Sequence, residues 1–222
     1  METGLLISFE GVDGSGKSTQ LTRLADRLRA VGIEPVLVRE PGGTRLGEQV
    51  REILLDPATG DIAPAAEALL YAASRAELVA TTIEPAIAAG QVVLCDRYVD
   101  SSLAYQGAGR ELCIDRVLEA NLLATVGRLP HLTVLVQLDP VTAHERRTAA
   151  PDADEDRLEQ AGQEFFARVH EAYGEIAARW PDRIAVVDGA GAPDDVERLV
   201  DAVVTPMLAR AGVTLDPLEA HA

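Results

Sequence analysis

The sequence predicts an α/β fold, a five-stranded parallel sheet with helices on both faces. Five short apolar runs rich in β-branched residues recur along the chain, each separated from the next by a helical stretch. The runs are continuous rather than alternating, as strands buried on both faces require. The 222 residues suffice for one substantial core, and no linker is long enough to divide them.

Each element has its own warrant. "LLISFE" (5–10) is an apolar run that ends in a glycine-rich turn, so it reads as a strand. "KSTQLTRLADRLRAVG" (17–32) carries helical periodicity and a terminal glycine. "EPVLVRE" (34–40) is the second strand, followed by the turn "PGGT" and an amphipathic helix near 46–55. Pro64 opens a long helix to about Ala89, with Gly90 as its stop. "VVLCDR" (92–97) is the third strand, and a helix near 113–126 follows. "LTVLVQLD" (132–139) is the fourth, then come a helix near 141–148, the polar stretch "TAAPDADED" and a helix near 157–179. "RIAVVD" (183–188) is the last strand, and a helix over 193–211 precedes a loose tail. These limits predict a single domain over 1–212 and a tail over 213–222.

Composition narrows the function. A formal net charge of −16 argues against general nucleic-acid binding, which needs a broad basic surface. No run approaches the ~18 apolar residues of a membrane span, and the N-terminus has no basic region before its short apolar stretch, so a cytoplasmic protein is expected. Cys95 and Cys113 are too few for a metal cluster or a disulfide framework, and both read as buried thiols. The four histidines are scattered without ligand spacing.

"GVDGSGKS", Gly11 to Ser18, fits G-x-x-x-x-G-K-[ST] between a predicted strand and a predicted helix. Such a loop curls so that backbone N–H groups point at phosphate oxygens, and the helix N-terminus adds partial positive charge. Gly11, Val12, Asp13, Gly14, Ser15, Gly16, Lys17, Ser18 and Thr19 are therefore the expected nucleotide cradle. Lys17 is the only lysine in the chain, where a flexible point charge suits a tight phosphate nest better than a planar guanidinium. Ser18 is placed to ligate Mg²⁺, and ATP is the expected triphosphate. A GTPase would need a second lysine for its N-K-x-D segment, so that class is excluded. A kinase acting on a small acceptor fits the size. Its second anion site should use arginine forks, and Arg51, Arg75 and Arg97 come from three elements that meet at the carboxyl edge of the sheet.

The segments "FEGVDGSGKST", "REPGGT", "LLYAASRAELV", "DRYVDSSLAYQGAGR" and "DRLE" run in this order over residues 9–159. Through them the chain resembles the bacterial thymidylate kinases, which share a P-loop kinase fold with a mobile lid. The resemblance implies transfer of the γ-phosphoryl group of ATP to thymidine monophosphate (dTMP), with Mg²⁺, in a homodimer. It implies that Arg75 and Arg97 bind the acceptor phosphate with help from Arg51, and that Tyr71 stacks on thymine. Ser102 and Gln106 would then contact the base, and Tyr105 would crowd the sugar 2′ position. Asp13 and Glu40 would lie near the sugar hydroxyl, and Asp96 near the magnesium and phosphates. Lys17, Arg97 and Asp13 would be catalytic. Asp13 is followed by Gly14 rather than arginine, so the catalytic arginine should come from a lid over about 146–157. The candidates are Arg147 and Arg157, with Arg146 beside them. Two other readings stay open: a nucleotide-binding regulatory protein without turnover, which the acidic lid supports, and a related kinase for another deoxynucleotide.

Overall fold

A computed structural model of the chain describes residues 4–149, 157–158 and 161–218. The strands are β1 (Leu5–Glu10), β2 (Val36–Arg39), β3 (Val92–Asp96), β4 (Leu132–Gln137) and β5 (Ile184–Asp188). They form one parallel sheet in the order β2-β3-β1-β4-β5. β1 lies between β3 and β4, pairing Leu5 with Val92 and Ile7 with Leu132. Every residue of β1 is buried, which explains its unbroken apolar run.

Helices α1 (Lys17–Ala30) and α9 (Pro193–Arg210) cover one face, where Leu21, Leu24, Leu28, Val200 and Val204 close over Ile7, Phe9 and Val134. The other face carries α3 (Pro64–Leu78) and α8 (Gln163–Arg179), with Leu78, Phe165, Val169 and Ile176 packed around Leu6, Val93 and Leu135. Between them on the chain lie α2 (Arg45–Leu55), α4 (Glu84–Ala88), α5 (Val99–Ser102), α6 (Ile114–Ala124) and α7 (Pro140–Thr148). Thr44 caps α2 by accepting from Gly47 N, and Asp139 caps α7 by accepting from Val141 N and Thr142 N.

Four expectations need correction. The long helix 64–89 is interrupted by a π-helical turn over Val79–Ile83, and α8 begins at Gln163 rather than 157. A second π-helical turn, Leu103–Gly109, follows α5; such turns are hard to read from periodicity because they add a residue without breaking the apolar face. Cys95 is buried as expected, but Cys113 is exposed at the N-cap of α6, with φ 73°. The tail is not loose over its described part: Leu215 is buried against the α1–α9 layer, and the Asp216 carbonyl accepts from Arg27 Nη2 at 2.7 Å. The lid interior, 150–156, lies outside the described residues.

Candidate active site

Two clefts open at the carboxyl edge of the sheet. The first follows β1, where the phosphate loop turns into α1. Gly11 and Gly14 are required by close backbone approach as well as by φ. A Cβ on Gly11 (φ 138°) would sit 2.4 Å from the Val136 carbonyl oxygen, and one on Gly14 (φ 83°) 2.2 Å from that of Ala143. The buried Ser15 Oγ has no protein partner. This cleft is lined by Asp13 to Gln20, by Arg146 and Arg147 of α7, and by 189–193 after β5. The sequence reading missed that last segment, since "GAGAP" resembles an ordinary turn before a helix. Arg146 donates to the carbonyls of Gly189 (2.8 Å) and Ala190 (3.0 Å), so it braces that loop.

The second cleft lies between α2, α3 and the π-helical turn after α5. Its walls include Asp13, Glu40, Arg51, Tyr71, Arg75, Arg97, Ser102, Tyr105 and Gln106. The residues singled out from five separate segments thus share one cavity. Pro41, Ser101, Leu55, Leu158 and Phe166 also line it; the leucines and the phenylalanine were missed because apolar residues of this kind read as core.

Asp13 lines both clefts. Its Oδ1 accepts from Lys17 Nζ at 2.9 Å and from Arg97 Nη2 at 2.7 Å. Burial pushes the Asp13 carboxyl up, but Arg97 and Lys17 outweigh it and hold the group well below the usual carboxylate range. Arg97 adopts φ 68°, in the left-handed region that a non-glycine residue seldom occupies, which marks a constrained position. Its Nη1 also donates to the Gly11 carbonyl at 3.0 Å and to Ser101 Oγ at 3.2 Å. Behind it, Tyr173 of α8 donates to Glu10 Oε2 at 3.1 Å. Tyr173 carries no local motif, so nothing along the chain distinguishes it from a core aromatic. Burial, with Asp100 nearby, pushes the Glu10 carboxyl up to about 7.

Arg75 is fully buried, and each of its N–H groups has a protein acceptor: Glu40, Ser102 Oγ, Asn121 Oδ1 or the Tyr98 carbonyl. With its whole fork engaged by the protein, Arg75 holds Glu40 and Ser102 in place at the cleft it lines. The carboxylate it meets is Glu40, whose second oxygen, Oε1, is buried without a protein partner. Ser18 Oγ donates to Asp96 Oδ2 at 2.5 Å at the loop mouth. Arg157, the other lid candidate, is not among the residues lining either cleft. It is buried, with Nε on the Leu54 carbonyl (2.8 Å) and Nη2 on Glu67 (2.5 Å). Arg147 lines the phosphate-loop cleft.

Residues 9–200 match the thymidylate kinase family model. The chain belongs to the thymidylate kinase family. Among its relatives, a thymidylate kinase from Deinococcus radiodurans is 48% identical over 205 residues, covering 92% of this chain and 98% of that protein. One from Bifidobacterium longum subsp. infantis is 46% identical over 209 residues, covering 93% and 88%. The crystal structure of thymidylate kinase from Ehrlichia chaffeensis superposes with a TM-score of 0.72 at 30% identity, over 90% of this chain and 98% of that one. Membership accounts for the five-stranded parallel sheet and for the phosphate loop at the edge of it.

Proposed function

We propose that this chain transfers the γ-phosphoryl group of ATP to dTMP, giving ADP and dTDP. The observation that carries the reading is the joining of the two clefts at Asp13, with Arg97 spanning them. A donor in the loop cleft and a monophosphate in the second cleft meet there. An oxygen of the acceptor phosphate attacks the γ-phosphorus in line, and the bond to the β-bridging oxygen breaks, leaving ADP. That acceptor oxygen is already ionised near neutral pH, so positioning and charge neutralisation dominate catalysis.

Lys17 and the loop N–H groups hold the β- and γ-phosphates. Arg97 and Arg51, both lining the second cleft, hold the acceptor phosphate. Tyr71 supplies a stacking face for the base, while Ser102, anchored by Arg75, and Gln106 present polar atoms to its edge. Glu40 Oε1 is a buried acceptor without a partner, and a sugar hydroxyl would satisfy it. Tyr105 is buried beside Arg97, where it limits space at the sugar. Arg147, at the phosphate loop, is the arginine we assign to the transferring group, and Arg157 becomes a structural tie. Ser18 and Asp96 offer the hard oxygen donors that Mg²⁺ prefers. Among the described residues no group of three or more His, Cys, Asp or Glu forms a metal cage, so an ion arriving with the nucleotide phosphates fits these two donors. When bound, Mg²⁺ would offset the negative charge of the phosphates.

No helix among the described residues is long and apolar enough to cross a membrane; the cytoplasmic location belongs to this proposal. Leu69 on α3 and Leu123 on α6 are exposed apolar residues, and they support a homodimer. The test is ADP release from ATP·Mg²⁺ with dTMP, dUMP, dCMP and dGMP in parallel, with Lys17→Ala as control. Strong preference for dTMP is expected; no turnover with any monophosphate would defeat the proposal.

A further inference from the structure

Glu67, in the first turn of α3, is fully buried yet was given no role in binding or transfer. Its Oε1 accepts from Gln106 Nε2 and from Arg110 Nε, both at 3.1 Å. Its Oε2 accepts from Arg110 Nη2 at 3.1 Å and Arg157 Nη2 at 2.5 Å. Burial pushes this carboxyl up, but hydrogen bonds from Arg110, Arg157 and Gln106 prevail and hold it below the usual range. Glu67 is therefore ionised, and an ionised carboxylate can only accept hydrogen bonds.

That fact decides the orientation of a second group. The two ends of a glutamine amide are nearly the same shape, so packing alone seldom distinguishes them. Facing an obligate acceptor, Gln106 must present its nitrogen to Glu67, and its carbonyl oxygen takes the opposite side. A flipped amide would set two acceptors against each other in a buried site. Gln106 lines the second cleft with Tyr71 and Ser102.

On the dTMP kinase reading, on which this inference rests, we infer that Glu67 is a specificity-determining positioning residue. It locks the Gln106 amide with the carbonyl oxygen toward the base. The cleft then accepts a pyrimidine whose ring N3 bears a hydrogen, thymine or uracil, and refuses cytosine, whose N3 is a lone pair. A free glutamine would turn and serve either base. A site with fixed hydrogen-bond polarity leaves the wrong base unpaired, and such mismatches discriminate strongly.

The experiment measures kcat/KM for dTMP, dCMP and dUMP in wild type, E67Q, Q106M and the double variant, with melting temperature and ATP affinity as fold controls. E67Q introduces an amide that both donates and accepts, which frees Gln106 to turn. The dTMP/dCMP ratio should fall at least about 10-fold. The dTMP/dUMP ratio should not move, because both bases carry the N3 hydrogen. Q106M keeps the Glu67 ion pairs and should lower the dTMP/dCMP ratio at least as far. Adding E67Q to Q106M should then change that ratio less than about twofold, since nothing remains for Glu67 to orient.

Equal loss on all substrates in E67Q, with ratios unchanged, would overturn the inference and leave Glu67 a structural ion-pair centre. So would an undiminished effect of E67Q in the Q106M background. If E67Q does not fold, E67D retains the charge but shortens the reach to Gln106. It should lower the dTMP/dCMP ratio, and an unchanged ratio would equally overturn the inference. A wild type that does not phosphorylate dTMP defeats the kinase reading itself; a wild type that does, with ratios insensitive to these variants, defeats this inference alone.

Discussion

Arg75 shows how much one residue's partners can change its meaning. Read along the chain, it is a cation on an apolar helix that needs an anion. In the folded protein that anion is Glu40, reached across 35 positions of sequence, and Ser102, Asn121 and the Tyr98 carbonyl complete the shell. Removing one partner of a buried pair strands the other charge. Arg75→Ala should therefore cost about 3–5 kcal/mol of stability, read by denaturant melts. It should also weaken dTMP binding through the loosened Glu40 and Ser102. Lys17 differs, since its ammonium bonds to Asp13 at the mouth shared by the two clefts. Lys17→Ala should leave the melting temperature within a few degrees but lower kcat by about 10²–10³-fold, as loss of a charge aimed at the reacting phosphates does. A steady-state assay beside a thermal melt separates the two outcomes.

At the scale of elements, the loop between β1 and α1 is shaped by what packs on it. The start of the loop lies against β4, and Gly14 meets the backbone of α7, whose Arg147 N would lie 3.2 Å from an added Cβ. Gly14→Ala should push α7 away from the loop and add strain at a positive φ, about 1–3 kcal/mol. Calorimetric titration should show weaker ATP binding, with dTMP affinity changed much less, because Gly14 lines only the nucleotide cleft. An equal loss for both ligands would contradict this division. The π-helical turn Leu103–Gly109 is the matching device on the acceptor side, since it carries Tyr105 and Gln106 into the cleft.

Across the whole molecule, the carboxyl ends of β1 and β3 concentrate charge in the core. Glu10 is buried with its carboxyl raised from 4.5 to about 7, chiefly by desolvation and then by Asp100. The folded state thus holds this proton more tightly than the unfolded chain does. The stabilisation is fully present below about pH 4.5 and is lost as pH rises to about 7. Glu10→Gln should flatten that part of the stability–pH profile, measured as melting temperature from pH 5 to 8. A profile with the same slope in both proteins would place the titration elsewhere. The proposed homodimer is tested by sedimentation: Leu69→Glu should shift the protein toward monomer without lowering secondary structure.

The legible part of this protein was whatever local chemistry dictates. Continuous apolar runs require strands buried on both faces, and "GVDGSGKS" requires a phosphate loop, because only glycine tolerates the backbone approach at Gly11 and Gly14. Each such signal is contained in a few neighbouring residues, so no folding is needed to read it. The pairing of charges was not legible in that way. Arg75 with Glu40, Arg157 with Glu67 and Tyr173 with Glu10 join residues 35, 90 and 163 positions apart. Any of the chain's many carboxylates could have answered any arginine. The tertiary structure chose among them, because a charge taken out of water must find its partner within hydrogen-bond reach, and only the packing of α3, α8 and the sheet decides what lies there.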